Sequence, residues 1–233
     1  MITKRHRNDR GPTNAGWLNS MHTFSFGHYL DYEHMGFGPL RVINEDRVIP
    51  GAGFGTHPHN NMEIISYVLD GALEHKDSMG NGSIIKPGDI QRMSAGTGVT
   101  HSEFNHSKSE GVHFLQIWFL PEEGNIEPSY EQKSFAAAEK QGQLKLVMSP
   151  DGRDGSVTIN QQVDMYAGLF KENETTEFIP RPNTIQWMQI ARGQINVNGE
   201  TIQEGDGLAI KDEEKLVLDN AQNAEVILFD MKV

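Results

Sequence analysis

Two stretches of this 233-residue chain carry the same punctuation in the same order. Leu69-Asp-Gly-Ala-Leu-Glu-His75 is followed by Gly82-Ser-Ile-Ile-Lys-Pro-Gly-Asp89, and Ala191-Arg-Gly-Gln-Ile-Asn-Val197 by Gly199-Glu-Thr-Ile-Gln-Glu-Gly-Asp206. Each copy reads strand, Gly turn, strand, turn, strand, Gly-Asp turn. Gly supplies positive φ at such points, and the neighbouring Asp bonds its own backbone. Two copies in register imply a duplicated barrel. Around them, short runs rich in Val, Ile, Leu and aromatics alternate with Gly, Pro and Asn/Asp clusters, the mark of an all-β sandwich or barrel. Strands are expected over 40–44, 63–70, 71–77, 83–85, 89–94, 99–105 and 112–119. In the second half they are expected over 145–148, 163–169, 184–191, 194–197, 200–203, 207–210 and 224–231. Only 135–141 reads as helical. The strandless, Pro- and Glu-rich segment 121–134 reads as the linker, which divides the chain into an N-terminal barrel, 1–132, and a C-terminal barrel, 133–233.

The two halves differ in their chemistry. All ten histidines lie between His6 and His113, so the second copy has none. Residues two apart on a strand share a face. In Gly51-Ala-Gly-Phe-Gly-Thr-His57-Pro-His59-Asn-Asn-Met-Glu63, the residues His57, His59 and Glu63 share one face if the strand runs through Pro58. His101 and Glu103 share a face in the same way. Side by side in a barrel, these segments offer three neutral imidazoles and a carboxylate. The chain has no cysteine, which removes disulfides, thiol catalysis and thiolate ligands, so any metal is held by nitrogen and oxygen. Such a set suits iron, manganese, cobalt, nickel, copper or zinc. An ion with an exchangeable position is catalytic rather than structural. The residues alone leave open whether Glu63 or Glu103 is the carboxylate ligand.

At these residues the chain resembles the cupin superfamily. Gly51, His57, His59, Glu63 and Gly71 follow its first motif. Gly88, Gly98, His101 and Asn105 follow its second, without the motif's Pro and with a longer Ser94-Ala-Gly-Thr-Gly-Val-Thr stretch. Within cupins this departure is similar to the pirins, as are Trp17-Leu-Asn-Ser-Met-His-Thr-Phe-Ser-Phe-Gly27 and Met93-Ser-Ala-Gly-Thr-Gly-Val-Thr-His-Ser-Glu103. The resemblance is dense over residues 5–120 and weaker beyond.

The resemblance implies a bicupin, two tandem cupin β-barrels with little helix and one metal in the N-terminal barrel. It implies His57, His59, His101 and Glu103 as ligands, with Glu63 supporting a ligand histidine. Fe(II) is the expected ion. It also implies a metal-dependent dioxygenase that cleaves flavonols such as quercetin (quercetin 2,3-dioxygenase), with O₂ as co-substrate and carbon monoxide and a depside as products. Glu103, or Glu63 instead, would be the base. The alternative from a different class is a non-catalytic, metal- or redox-responsive regulator acting through a protein partner.

The net charge of −12 disfavours direct nucleic-acid binding. Lys4, Arg5, Arg7 and Arg10 read as a solvated, partly mobile terminus. No apolar run reaches membrane-spanning length, and the polar N-terminus lacks a signal core, so the cytoplasm is the expected compartment. Phe24, Phe26, Tyr29, Phe37 and Phe54 read as core and lid packing more than as a substrate mouth. His22, His28, His34, His106 and His113 stay outside the expected site, and Met21, Met62 and Met93 read as core filling.

Overall fold

A computed structural model describes residues 1–232. The first part of the chain forms β1 (Ile2–Arg5), β2 (Gly11–Asn14), β3 (Leu18–His22), β4 (Leu40–Val48), β5 (Gly53–His59), β6 (Glu63–Asp70), β7 (Leu73–Asp77), β8 (Gly82–Ile85), β9 (Asp89–Ser94), β10 (Val99–Asn105), β11 (Val112–Phe119) and β12 (Ser129–Ser134). The remainder forms α1 (Ala137–Lys140), β13 (Leu144–Ser149), β14 (Val157–Thr158), β15 (Val163–Phe170), β16 (Thr176–Phe178), β17 (Thr184–Val197), β18 (Glu200–Gln203), β19 (Gly207–Ile210) and β20 (Leu216–Lys232). The expected all-β class holds.

The chain groups into two compact units. One contains Gly11–Ser134 together with Val157–Gln161; the other contains Met1–Arg10, Phe135–Ser156 and the segment from Gln162 onward. The expected division at residue 132 thus misses two exchanges. The segment expected to be a solvated terminus is instead strand β1, antiparallel to β19 with Arg5 opposite Gly207. Arg5 and Arg10 are buried there, and Lys4 Nζ lies 3.2 Å from Asp206 Oδ2. Paired backbone and a buried counter-charge outweigh the solvation that a basic terminus otherwise prefers. The expected linker also holds a strand: β12 pairs with β9. Its polar residues alternate along an edge, where no apolar face is needed.

The first unit has two antiparallel sheets, ordered β5-β10-β7-β8 and β12-β9-β6-β11-β4-β3-β2. Leu18, Val48, Val68, Val112 and Phe114 from the larger sheet pack with Leu73 and Ile85 from the smaller. The second unit runs β1-β19-β17-β20-β15-β13, with β16 on β20 and β18 on β17. Its interior is filled by residues such as Phe170, Met188, Ile195, Leu208, Leu218 and Leu228.

The duplicated turns are the same device twice. Asp89 Oδ2 accepts from Lys86 N at 2.9 Å, and Asp206 Oδ2 accepts from Gln203 N at 3.0 Å. Gly71 and Gly193 both have left-handed φ, +77° and +68°. A Cβ on Gly193 would lie 2.3 Å from Asn223 O, and one on Gly71 would lie 2.6 Å from Gly111 O. Gly193 falls where β17 shifts register against β20, a bulge that merges two expected strands into one long bent strand. Gly193→Ala should therefore destabilise the fold by about 1–3 kcal/mol, read as a fall in melting temperature. An unchanged melt would show that the bulge tolerates a side chain.

Candidate metal centre

The site is built on the pairing of β5 with β10. Their register sets His101 directly opposite His57 and Val99 opposite His59. Between His101 and Glu103 the register shifts, so Glu103 faces Phe54, and Gly55 falls in a bulge. The Gly55 carbonyl is used locally: His57 Nδ1–H donates to it at 2.8 Å. That bond fixes the His57 tautomer and leaves Nε2 with a free lone pair.

His57 Nε2 lies 3.0 Å from His101 Nε2. The ring centroids of His57, His59 and His101 are 4.5–4.9 Å apart, and one nitrogen from each lies within 4.8 Å of the others. His59 Nε2 is buried with no hydrogen-bond partner. At that distance one proton can join His57 Nε2 and His101 Nε2, which still leaves His59 Nε2 orphaned beside them; a cation would satisfy all three nitrogens. Burial, followed by the charge of His57, pushes His59 down to about 4 and His101 down to about 3. Both imidazoles are neutral at neutral pH, the form that ligates. The chain therefore carries a cluster able to bind a metal, with N/O donors and no sulfur.

Glu103 is buried on β10. Oε1 accepts from Ser66 Oγ at 2.9 Å, and Oε2 accepts from Gln116 Nε2 at 2.6 Å. Burial raises its pKa against these bonds. Glu103 does not fall in the three-histidine group; it joins His101 in an overlapping group with His75.

Glu63, expected on the histidine face, lies elsewhere. Its Oε2 accepts from Ser94 Oγ at 2.9 Å and from Asn160 N at 3.1 Å, and it belongs to neither group of converging ligands. The strand expected to continue from His59 is broken before Glu63. Asn61 adopts φ +46°, which ends β5 and restarts the alternation in β6.

His75 is a member of the cluster that the spacing argument missed. It sits on β7 opposite Glu103, and its Nε2–H donates to Asp77 Oδ2 at 2.9 Å while Nδ1 is buried without a partner. The signal was present as His75-Lys76-Asp77, two residues that share a strand face. Of the other six histidines, His6 bonds Asn8, His22 Asn44, His34 Asp31, His106 Glu74 and His113 Glu45, and His22 and His28 line the cavity described next.

The cluster opens onto a cavity of about 480 Å³. Trp17, Leu18, Phe26, Phe54 and Trp118 give it apolar surface, and His57, His59, Glu103 and Gln116 also line it. Of the five aromatics singled out in the sequence, Phe26 and Phe54 reach the cavity, whereas Phe24 is core. Trp118 was not anticipated; its ring meets His59 edge-on at 4.9 Å and Phe26 at 5.4 Å.

The pirin family model matches residues 3–119, and a model described as the quercetinase C-terminal cupin domain matches 146–231. Quercetin 2,3-dioxygenase of Escherichia coli K12 is 47% identical, with 99% of each chain covered. A pirin-like protein of Caulobacter vibrioides is 35% identical, again with 99% of each chain covered. The crystal structure of the bacterial pirin YhhW from Escherichia coli in complex with nickel(II) superposes with a TM-score of 0.94 at 46% identity, covering 100% of this chain and 99% of that one. The architecture is a bicupin, and the chain belongs to the pirin family.

Proposed function

We propose that the protein is a metal-dependent dioxygenase that opens flavonols such as quercetin with O₂, releasing carbon monoxide and leaving a depside. The observation that carries this reading is the convergence of His57, His59 and His101, the first two of which line a largely apolar cavity that Glu103 also lines. The 47%-identical Escherichia coli relative bears the name of this activity, and the Escherichia coli pirin YhhW has been crystallised with nickel(II). His57, His59, His101 and Glu103 would hold one divalent transition metal, with Fe(II) as the first choice. Bound there, the ion supplies Lewis acidity to the 3-hydroxyl and adjacent carbonyl of the flavonol.

The chain's own residues do the rest. Trp118, Phe26 and Phe54 give a flat aromatic substrate apolar surface and exclude water. Glu103 accepts the hydroxyl proton at Oε1. The Ser66 hydroxyl that donates to Oε1 has a second acceptor, Gln116 Oε1 at 3.2 Å, so it can rotate away and free that lone pair.

Oxygen uptake and carbon monoxide release with quercetin should be metal-dependent in the wild type and abolished in His101→Ala. One equivalent of bound metal with no turnover would sink the dioxygenase reading and favour a metal-responsive binding protein. Glu103→Gln should lower kcat by about 10²-fold or more in protein shown by metal analysis to keep its ion, since the proton acceptor is lost. An unchanged kcat would remove Glu103 as the base.

The depressed imidazoles also set an acid sensitivity. Below about 6.5 the unfolded chain takes up protons that folded His59 and His101 refuse until about 4 and about 3. The unfolded state then binds more protons, so the stability of the metal-free protein falls with pH across this window. Melting temperatures from neutral pH down to about 4.5 should fall less steeply in His101→Ala than in wild type. Equal slopes would contradict the assignment.

A further inference from the structure

The cavity has a second polar wall that plays no part in the reaction described above. Asn44 and Asp46 alternate inward on β4 and line the same space as Glu103. Asp46 stands opposite Ser20 on β3 and Phe114 on β11. It is 3% exposed, yet it lines the cavity, and its Oδ1 has no hydrogen-bond partner. Ser20 is the hydrogen-bond partner that lowers its pKa, but burial, together with the charges of Glu103 and Glu45, pushes it up to about 7. Asp46 belongs to neither group of converging ligands. A buried acceptor left unpaired is costly, and folding alone gives no return for it.

We infer that Asp46 is a specificity residue whose carboxyl group accepts a hydrogen bond from a ring hydroxyl of the substrate, away from the chelating hydroxyl–carbonyl pair. The assignment rests on the flavonol reading. A phenolic hydroxyl donates strongly and fits beside an unpaired carboxyl oxygen. A ring without hydroxyls fills the apolar wall equally well but leaves Oδ1 orphaned, so the cavity discriminates by what the poorer ligand fails to satisfy.

Quenching of protein fluorescence, with Trp17 and Trp118 in the cavity wall, reads ligand binding directly. Quercetin and 3-hydroxyflavone share the chelating pair, and the latter lacks every ring hydroxyl. They are titrated without oxygen into metal-free and nickel-loaded protein. Wild type should prefer quercetin by about tenfold or more, as pairing an otherwise unsatisfied buried acceptor predicts. Asp46→Ala and Asp46→Leu should bring that preference down to about twofold, with 3-hydroxyflavone affinity unchanged, and both should melt at or above the wild-type temperature. A preference retained in both variants overturns the assignment and leaves the flavonol reading standing. A fall in melting temperature in both makes Asp46 a structural residue and also overturns it. Failure of wild type to bind either compound sinks the flavonol reading, and this inference with it.

Discussion

The antiparallel register of β5 against β10 is the constraint on which the site depends. His101 meets His57 across the ladder, and a one-residue slip would turn every imidazole on one strand to the opposite face. The register is held at both ends by groups that do other work. The bulge at Gly55 supplies the carbonyl that orients His57. Asn105, at the end of β10, donates to the carbonyls of Val48, Ile49 and Glu110. The geometry of the histidine cluster thus rests on the same bonds that pair the strands.

Most of the architecture was legible because it rests on periodicity. Alternation placed His57 with His59, and His101 with Glu103. The paired Gly and Gly-Asp turns announced the duplication, and Asp89 and Asp206 prove to make the same backbone bond in each copy. What escaped was whatever depends on a partner distant in sequence. Strand β1 was hidden because its reason to be ordered, β19, lies at the other end of the chain. Strand β12 was hidden because an edge strand has no apolar stripe to display. Glu63 was misplaced because one left-handed residue, Asn61, resets the alternation, and asparagine does so without a sequence signature as loud as glycine's. His75 and Trp118 were overlooked because a single residue on a strand carries no spacing; only the fold brings them to the cluster.

The two units show how one backbone plan serves two ends. The second fills its interior with aliphatic and aromatic side chains. The first buries Glu103, His101, Asp46, Asn44 and Gln116 within its sheets. Each of these carries a desolvation cost, and most are paired to reduce it. Among the described residues of this unit, His59 Nε2, His75 Nδ1, His101 Nδ1, Asp46 Oδ1 and Trp118 Nε1 are buried without a hydrogen bond at the cluster or on the cavity wall, and Gln91 Oε1 is so elsewhere.

The seat of β1 carries a consequence for how the chain is made. Residues Ile2–Arg5 pair with Gly207–Ile210, a loop closure that spans most of the polypeptide. During synthesis the basic segment must wait, unpaired, until its partner Gly207–Ile210, far downstream, has emerged. The second unit therefore cannot be completed from its own contiguous sequence. A gene divided between the two barrels would yield one half missing an edge strand and the other carrying it to no purpose.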